Sequence, residues 1–317
     1  MIERLKNEYD VAKLLNLTIS ELDELLINLN YNVFYLPKKK GGKRIITAPS
    51  EQLKLVQQKI NVLLNRVYEE FNIEYVFGFS KKRNTDHFNS PIVSNASFHV
   101  QKNYILSLDI HDFFESITAK QIFDLFSSKP FNFSEKVALI FTRLTTYKGI
   151  LPTGAPTSPL LSNFIFYQID CKIQSLMQEN QITYTRYADD ITLSSNCAID
   201  LNMLGDLELI ISPFKLNTKK TRLINLNSQQ KVTGIVVNQK LNIDRKWLKK
   251  TRAMFHDLSI NGLSIAAEKH FKVKGKESSF LNKLIGNISF ISQVRGKEDP
   301  SIQLYLNILK SQNLERK

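Results

Sequence analysis

The sequence predicts a layered α/β or α+β protein followed by a small, basic, all-helical part. Three observations predict it. Short β-prone runs alternate with stretches of helical apolar spacing as far as about residue 238. Beyond that point three helical patterns follow one another with no strand between them. Charge shifts at the same place: residues 240–317 hold 16 Lys and Arg against 7 Asp and Glu, a net +9 of the +13 carried by all 317 residues.

Residues 1–30 place Leu14, Leu17, Leu22, Leu25, Leu26 and Leu29 at helical spacing, with Ser20 before Glu21 and Asp23 as the expected cap. Val33 to Leu36 and Arg44 to Ala48 flank the turn Lys38-Lys39-Lys40-Gly41-Gly42 and read as a hairpin. A helix is expected over 51–71, a strand over 104–110, and helices near 134–146 and from Pro159 onward. Ile182 to Leu193 is a second β region, interrupted at Ala188-Asp189-Asp190. The tail helices are expected over 244–258, 279–294 and 300–309, the last opened by Asp299 as cap and Pro300 at the first helical position.

With 43% apolar residues the chain has ample material for a core, which excludes disordered and collagen-like classes. No apolar run reaches the roughly 18 residues of a membrane span. The opening MIERLKNEYD is charged where a signal peptide is apolar, so the expected location is the cytoplasm. Cys171 and Cys197 supply neither a disulfide framework nor a four-thiolate zinc site, and both are expected as buried thiols. The basic tail suits a nucleic-acid face, although lysine-rich helices also decorate ordinary solvated surfaces.

Tyr187-Ala188-Asp189-Asp190 sits between two apolar β runs. Adjacent carboxylates there repel each other unless a cation lies beside them, while as a lone tetrapeptide the same residues serve equally as a turn. Asp109 ends the strand Tyr104-Ile105-Leu106-Ser107-Leu108. If that strand lies beside the hairpin, three hard-oxygen ligands converge at one sheet edge, which suits two magnesium ions and phosphoryl transfer. His111 and Asp112 read as surface or local hydrogen-bonding groups. Between the carboxylates stands Leu151-Pro152-Thr153-Gly154-Ala155-Pro156-Thr157-Ser158-Pro159, in which Gly154 permits close backbone approach and Pro159 opens a helix whose free N–H groups suit a phosphate.

This ordered set resembles the reverse transcriptases, whose palm carries a first aspartate, a Gly/Pro loop ending in Ser-Pro, and a Tyr-x-Asp-Asp turn. Asn217-Thr218-Lys219-Lys220-Thr221 looks like the family's downstream lysine motif, and Lys43-Arg44-Ile45-Ile46 and Gly78-Phe79-Ser80-Lys81-Lys82-Arg83 look like its fingers motifs. Asn95-Ala96-Ser97-Phe98-His99 and Val232-Thr233-Gly234 resemble signatures of one subfamily, the bacterial retron reverse transcriptases. Thr153 departs from the glutamine found in many members.

The resemblance implies an α+β right-hand polymerase fold: N-terminal helices and fingers over 1–103, a palm over 104–238, and a basic helical thumb over 239–317. It implies an RNA-directed DNA polymerase that copies its own structured non-coding RNA from an RNA 2′-hydroxyl, stays on the RNA–DNA hybrid, uses deoxynucleoside triphosphates, and serves anti-phage defence with a separate effector. Two Mg2+ would be held by Asp109, Asp189, Asp190 and the Ile110 carbonyl. Lys43, Arg44, Arg83, Gly154 and Lys220 would face the nucleotide, with Phe114 as an aromatic gate against a 2′-hydroxyl. Asn95, His99, Val232, Thr233, Gly234, Lys246, Lys249, Lys250 and Arg252 would contact the RNA or primer. The length leaves no room for a nuclease domain and speaks against an intron-encoded enzyme. Phage-exclusion and diversity-generating enzymes are disfavoured by Ser158-Pro159 and by the Asn95/His99 signature. A non-catalytic RNA-binding protein is disfavoured by the three aspartates.

Overall fold

A computed structural model describes residues 5–38, 41–71, 73–79 and 90–314. The chain opens with helices α1 (Glu8–Leu15) and α2 (Ile19–Ile27), each closed by a capping box, Asn7 with Asp10 and Thr18 with Glu21. The α2 cap is therefore Thr18 and not Ser20. Thr18 accepts the Glu21 N–H while Glu21 reaches back to the Thr18 N–H, and Ser20 lies inside the helix. Strands β1 (Tyr31–Pro37) and β2 (Lys43–Pro49) pair antiparallel as the expected hairpin, with Phe34 opposite Ile46 and Leu36 opposite Arg44.

Helix α3 (Glu51–Tyr68), capped by Ser50, runs into a 3-10 turn over Glu69–Phe71, which accounts for the single helix read there. Then follow α4 (Pro91–Ser97), β3 (Tyr104–Asp109), α5 (Ala119–Ser127), α6 (Glu135–Thr145) and α7 (Ser158–Glu179). Strands β4 (Thr183–Tyr187) and β5 (Asp190–Ser195) flank a tight turn, and α8 (Met203–Ile211), β6 (Arg222–Asn225), β7 (Lys231–Val232) and β8 (Ile235–Val236) complete the strand-bearing part. The sheet that matters for function has the order β4-β5-β3-β6. Helices α4, α5 and α8 and the three short strands are not anticipated from apolar spacing.

The described residues fall into two compact units: those within 1–81, 106–193 and 199–222 form the first, and those within 82–105, 194–198 and 223–317 the second. In the first, an aromatic chain through Phe126, Phe131, Phe133 and Phe141 fills the space under α5 and α6. Phe113, Phe166 and Phe214 form a second cluster at centroid separations of 5.2 to 6.0 Å. Edge-to-face packing of such rings adds to their area burial. Cys171, within α7, is half-buried and Cys197, in the bend after β5, is exposed, so neither is the buried thiol expected.

The second unit ends in α9 (Arg245–Phe271), α10 (Glu277–Arg295) and α11 (Pro300–Ser311). Asp244 caps α9 through the N–H groups of Lys246 and Trp247, and Asp299 caps α11 with Pro300 in the first turn, as the sequence predicts. Helix α9 runs well past Leu258, across a non-helical break at Gly262 whose φ of 73° suits glycine. Met254, Phe255 and Leu258 of α9 pack with Phe280, Leu284 and Ile291 of α10 and with Tyr305 of α11. The Phe255 and Tyr305 rings stack 4.0 Å apart. No described helix is long and apolar enough to cross a membrane.

Candidate active site

Asp109 stands at the end of β3 and is 7% exposed. Its carboxylate accepts from the Lys220 ammonium at 2.6 Å and from the Asn217 amide at 3.3 Å. The backbone delivers both partners. The Asn217 N–H bonds the Asp109 carbonyl at 2.7 Å, the His111 N–H bonds the Lys215 carbonyl at 2.9 Å, and Lys220 follows within a 3-10 turn. A strand-like run at 215–217 is thus zipped to the end of β3, which fixes where the lysine begins its reach.

On the other side of β3 the Ile110 N–H donates to the Asp189 carbonyl at 3.0 Å. In an extended strand a residue's N–H and C=O share one side, so the Ile110 carbonyl also faces the strand bearing Asp189. The turn between β4 and β5 holds Ala188 at φ 58°, a left-handed conformation that brings Asp189 and Asp190 out at the sheet end. The backbone therefore brings Asp109, Asp189 and Asp190 to one sheet end, and their proximity has an electrostatic signature. Burial, and then the Asp109 charge, raises the Asp189 pKa, while Lys220 and Arg44 act the other way. Asp190 reaches solvent, yet protein atoms crowded around its carboxyl, followed by Asp189 and Asp109, push it up to about 6.

This donor set suits a hard divalent cation: it consists of oxygens, and its like charges penalise one another until a cation intervenes. The positive charge against Asp109 is the Lys220 ammonium, and among the described residues no three His, Cys, Asp or Glu side chains stand close enough together to hold a metal ion as they are.

Around this centre, Arg44 lies on exposed β2, near enough to lower the Asp189 pKa. Lys43 is exposed beside it, 5.6 Å from the Tyr35 ring centre. Phe114 is half-buried, with its ring 5.7 Å from Phe113 and 5.8 Å from Phe79. Gly154 has a reason the sequence did not reveal: a Cβ there would stand 2.8 Å from the Thr47 carbonyl, so the close approach is to β2. Thr153 is tied to the same strand, its hydroxyl accepting from the Thr47 N–H at 3.2 Å and donating to the Ile45 carbonyl at 3.0 Å. The loop before α7 is thus fastened to the β1–β2 hairpin. Thr157, the N-cap of α7, makes no capping bond, and its buried hydroxyl has no partner. His111 and Asp112 pair with each other at 3.0 Å on the surface. Arg83 lies outside the described residues.

In the second unit the subfamily signatures are placed differently from the contact role expected of them. His99 is fully buried, its Nδ1 2.6 Å from the Ser194 hydroxyl, and burial pushes its pKa down to about 3, so it is neutral. Asn95 and Val232 are 1% and 2% exposed. All three side chains thus lie in the interior and not on the surface that the expected contact requires. Thr233 fixes the turn at 233–234 through its hydroxyl to the Ile92 carbonyl at 2.8 Å, and Gly234 is exposed with φ 85°. Lys246, Lys249, Lys250 and Arg252 are all exposed, as expected, opposite the buried Met254 and Leu258.

Sequence reasoning missed Asn217 as a partner of Asp109. It also missed Gly78, where a Cβ would stand 2.4 Å from the Ala188 nitrogen. Both follow from tertiary contacts between segments far apart in the chain, and neither has a local periodic signal.

Comparison with known proteins identifies the family. Residues 36–281 match the family described as reverse transcriptase (RNA-dependent DNA polymerase). The retron Ec86 reverse transcriptase of Escherichia coli is 31% identical over 96% of this chain and 90% of its own length. The retron Mx65 reverse transcriptase of Myxococcus xanthus is 30% identical over 79% of this chain and 62% of its own. The retron Ec83 reverse transcriptase of Escherichia coli is 28% identical over 75% and 79%. The chain belongs to the reverse transcriptases, and within them to the retron enzymes. It is an RNA-directed DNA polymerase with an α+β right-hand fold, from a family that works with RNA templates and generally uses divalent metal ions.

Proposed function

We propose that this polymerase copies part of its own structured non-coding RNA into single-stranded DNA, starting from a 2′-hydroxyl of that RNA and remaining on the hybrid. Its substrates are deoxynucleoside triphosphates, its setting is the cytoplasm, and its biological role is anti-phage defence together with a separate effector protein. Residues 1–103, 104–238 and 239–317 serve as fingers, palm and thumb. The observation that carries the catalytic part is the meeting of Asp109, Asp189 and Asp190 at one sheet end, with Lys220 2.6 Å from Asp109.

Asp109, Asp189, Asp190 and the Ile110 carbonyl would hold two magnesium ions, which when bound lower the pKa of the primer hydroxyl and offset charge at the α-phosphate. Lys220 leaves Asp109 for the triphosphate and donates positive charge, or a proton, toward the departing pyrophosphate. Arg44, with Lys43 and Arg83, holds the phosphates by charge-assisted hydrogen bonds. Phe114 lies under the sugar and leaves no volume for a 2′-hydroxyl. Gly154 and Thr153 keep the loop before α7 against β2, so the nucleotide meets one preassembled wall. Thr233, Gly234 and the exposed cations of α9 meet the RNA, while Asn95, His99 and Val232 keep the 233–234 turn in shape from within.

The test is to express the chain with the DNA flanking its gene, purify it, and sequence the nucleic acid it carries. The expected product is DNA joined to one RNA by a linkage that a debranching enzyme opens. Recovery of RNA alone, or of DNA with an ordinary 5′ end, would overturn the self-priming reading.

A further inference from the structure

Beneath the catalytic turn lies a buried polar network that none of the assigned roles uses. Arg186 of β4 and Asp170 of α7 are both 0% exposed. The guanidinium meets the carboxylate in a two-point fork, Nε to Oδ1 at 2.8 Å and Nη2 to Oδ2 at 2.6 Å. Its remaining nitrogen, Nη1, donates to the Ala188 carbonyl at 2.9 Å and to Asn163 Oδ1 at 3.1 Å. Asn163 passes the connection on, donating its amide to the Gly78 carbonyl at 2.9 Å. The Arg186 backbone does the same from the other direction: its N–H bonds the Tyr75 carbonyl, and its carbonyl accepts the Phe77 N–H, each at 2.9 Å.

Two features set this apart from an ordinary buried ion pair. One is its address. Ala188 is the left-handed residue immediately before Asp189, and Gly78 packs so closely on it that a Cβ would stand 2.4 Å from its nitrogen. The other is its redundancy. A buried ion pair is weak as a source of stability and expensive to leave half-made, so its value lies in fixing one arrangement. Here the arrangement fixed is the carbonyl of the catalytic turn. A planar guanidinium offers enough donors to serve these four oxygens of three residues, which a lysine ammonium cannot reproduce.

We infer that Arg186, oriented by Asp170 and Asn163, is a positioning residue. It locks the Ala188 turn and the strip at 75–78 into one unit, and so sets the geometry in which Asp189 and Asp190 take up their cations. This rests on the metal-binding role proposed for those aspartates.

The test uses the full-length chain on a primed RNA template, with Arg186→Lys and Asn163→Ala beside the wild type. Asn163→Ala cuts the link to Gly78 but leaves Arg186 paired with Asp170, so it reads the positioning role even if Arg186→Lys does not fold. Three quantities are measured: the melting temperature, the affinity for Mn2+ from the free-ion electron paramagnetic resonance signal without nucleotide, and the kcat and KM of extension. For Arg186→Lys we expect a fall of about 100-fold in kcat with KM for the nucleotide little changed, since a small misplacement costs that much. Mn2+ affinity should weaken about tenfold in both variants, as when a group that orients metal ligands is removed. Folded variants with wild-type Mn2+ affinity would overturn the inference, whether or not stability falls. Wild-type protein that binds no Mn2+ at this centre would instead overturn the metal assignment beneath it.

Discussion

The end of the catalytic sheet and the outer face of α9 use charge in opposite ways. At the sheet end each charge has a specified place: Asp109 is nearly buried and held by Lys220 and Asn217, and its charge helps to raise the pKa of Asp189 and Asp190. On α9, Lys246, Lys249, Lys250 and Arg252 stand in solvent, and the buried residues of the same helix are apolar. In the first region function depends on where each atom sits. In the second it depends on how many charges there are. One substitution should therefore abolish the first function, and only several together should erode the second.

The largest expected effect comes from Asp189→Asn. Primer extension with magnesium should fall by about a thousandfold or more, because the charge proposed to hold a cation at the reacting phosphate is gone. RNA affinity, read by filter binding, should stay within about twofold, since the basic surface that supplies most of it is untouched. Changing Lys246, Lys249, Lys250 and Arg252 together to Gln should do the reverse. The slope of log affinity against log salt should flatten by about 3, at roughly 0.7 to 0.9 for each phosphate no longer neutralised. Initiation on the cognate RNA should suffer more than extension on a generic primed template, and equal losses would reduce α9 to a non-specific phosphate-binding face.

Phe114→Ala sharpens the contrast on the geometric side. Ribonucleotide incorporation relative to deoxynucleotide should rise by about tenfold to a hundredfold, the discrimination that a small change in pocket volume carries. An unchanged ratio in folded protein would make Phe114 a packing residue beside Phe113 and Phe79.

The smallest effect concerns pH. The folded chain holds the Asp190 proton more tightly than the unfolded chain, so in metal-free protein stability falls as pH rises from 3.8 to about 6. Asp190→Asn removes that penalty. It should stabilise the metal-free protein at pH 7.5 by about 1 kcal/mol, less than the full shift implies because the side chain reaches solvent. The gain should vanish toward pH 4 in urea titrations, and a gain independent of pH would show that the charge is not its origin.

The same contrast explains what the sequence made legible. The hairpin at 31–49, the strand ending in Asp109 and the turn at 188–189 announce themselves through local patterns, because a turn residue or an apolar alternation acts on its immediate neighbours. The α9 cations are equally plain, since exposure follows from helical spacing. The network under the turn was not legible: residues 78, 163, 170 and 186 meet only through tertiary packing, and a buried arginine reads like an exposed one. His99 and Asn95 show the converse. Their pattern resembles a subfamily signature, for which a contact with RNA is the expectation, but the fold places both side chains inside. Ser20 and Thr18 are both competent caps, and Glu21, three residues after Thr18, decides between them.

The central claim is that chemistry and RNA capture are separable, one held in the geometry of three aspartates and the other in surface charge. The measurement that tests it most directly is single-turnover extension on a primed RNA template, at enzyme concentrations that saturate binding for the wild type, Asp189→Asn and the fourfold Gln variant. At saturation the Gln variant should extend at nearly the wild-type rate, while Asp189→Asn makes no product although fully bound. A Gln variant as inactive as Asp189→Asn at saturation, or extension by Asp189→Asn, would contradict the account.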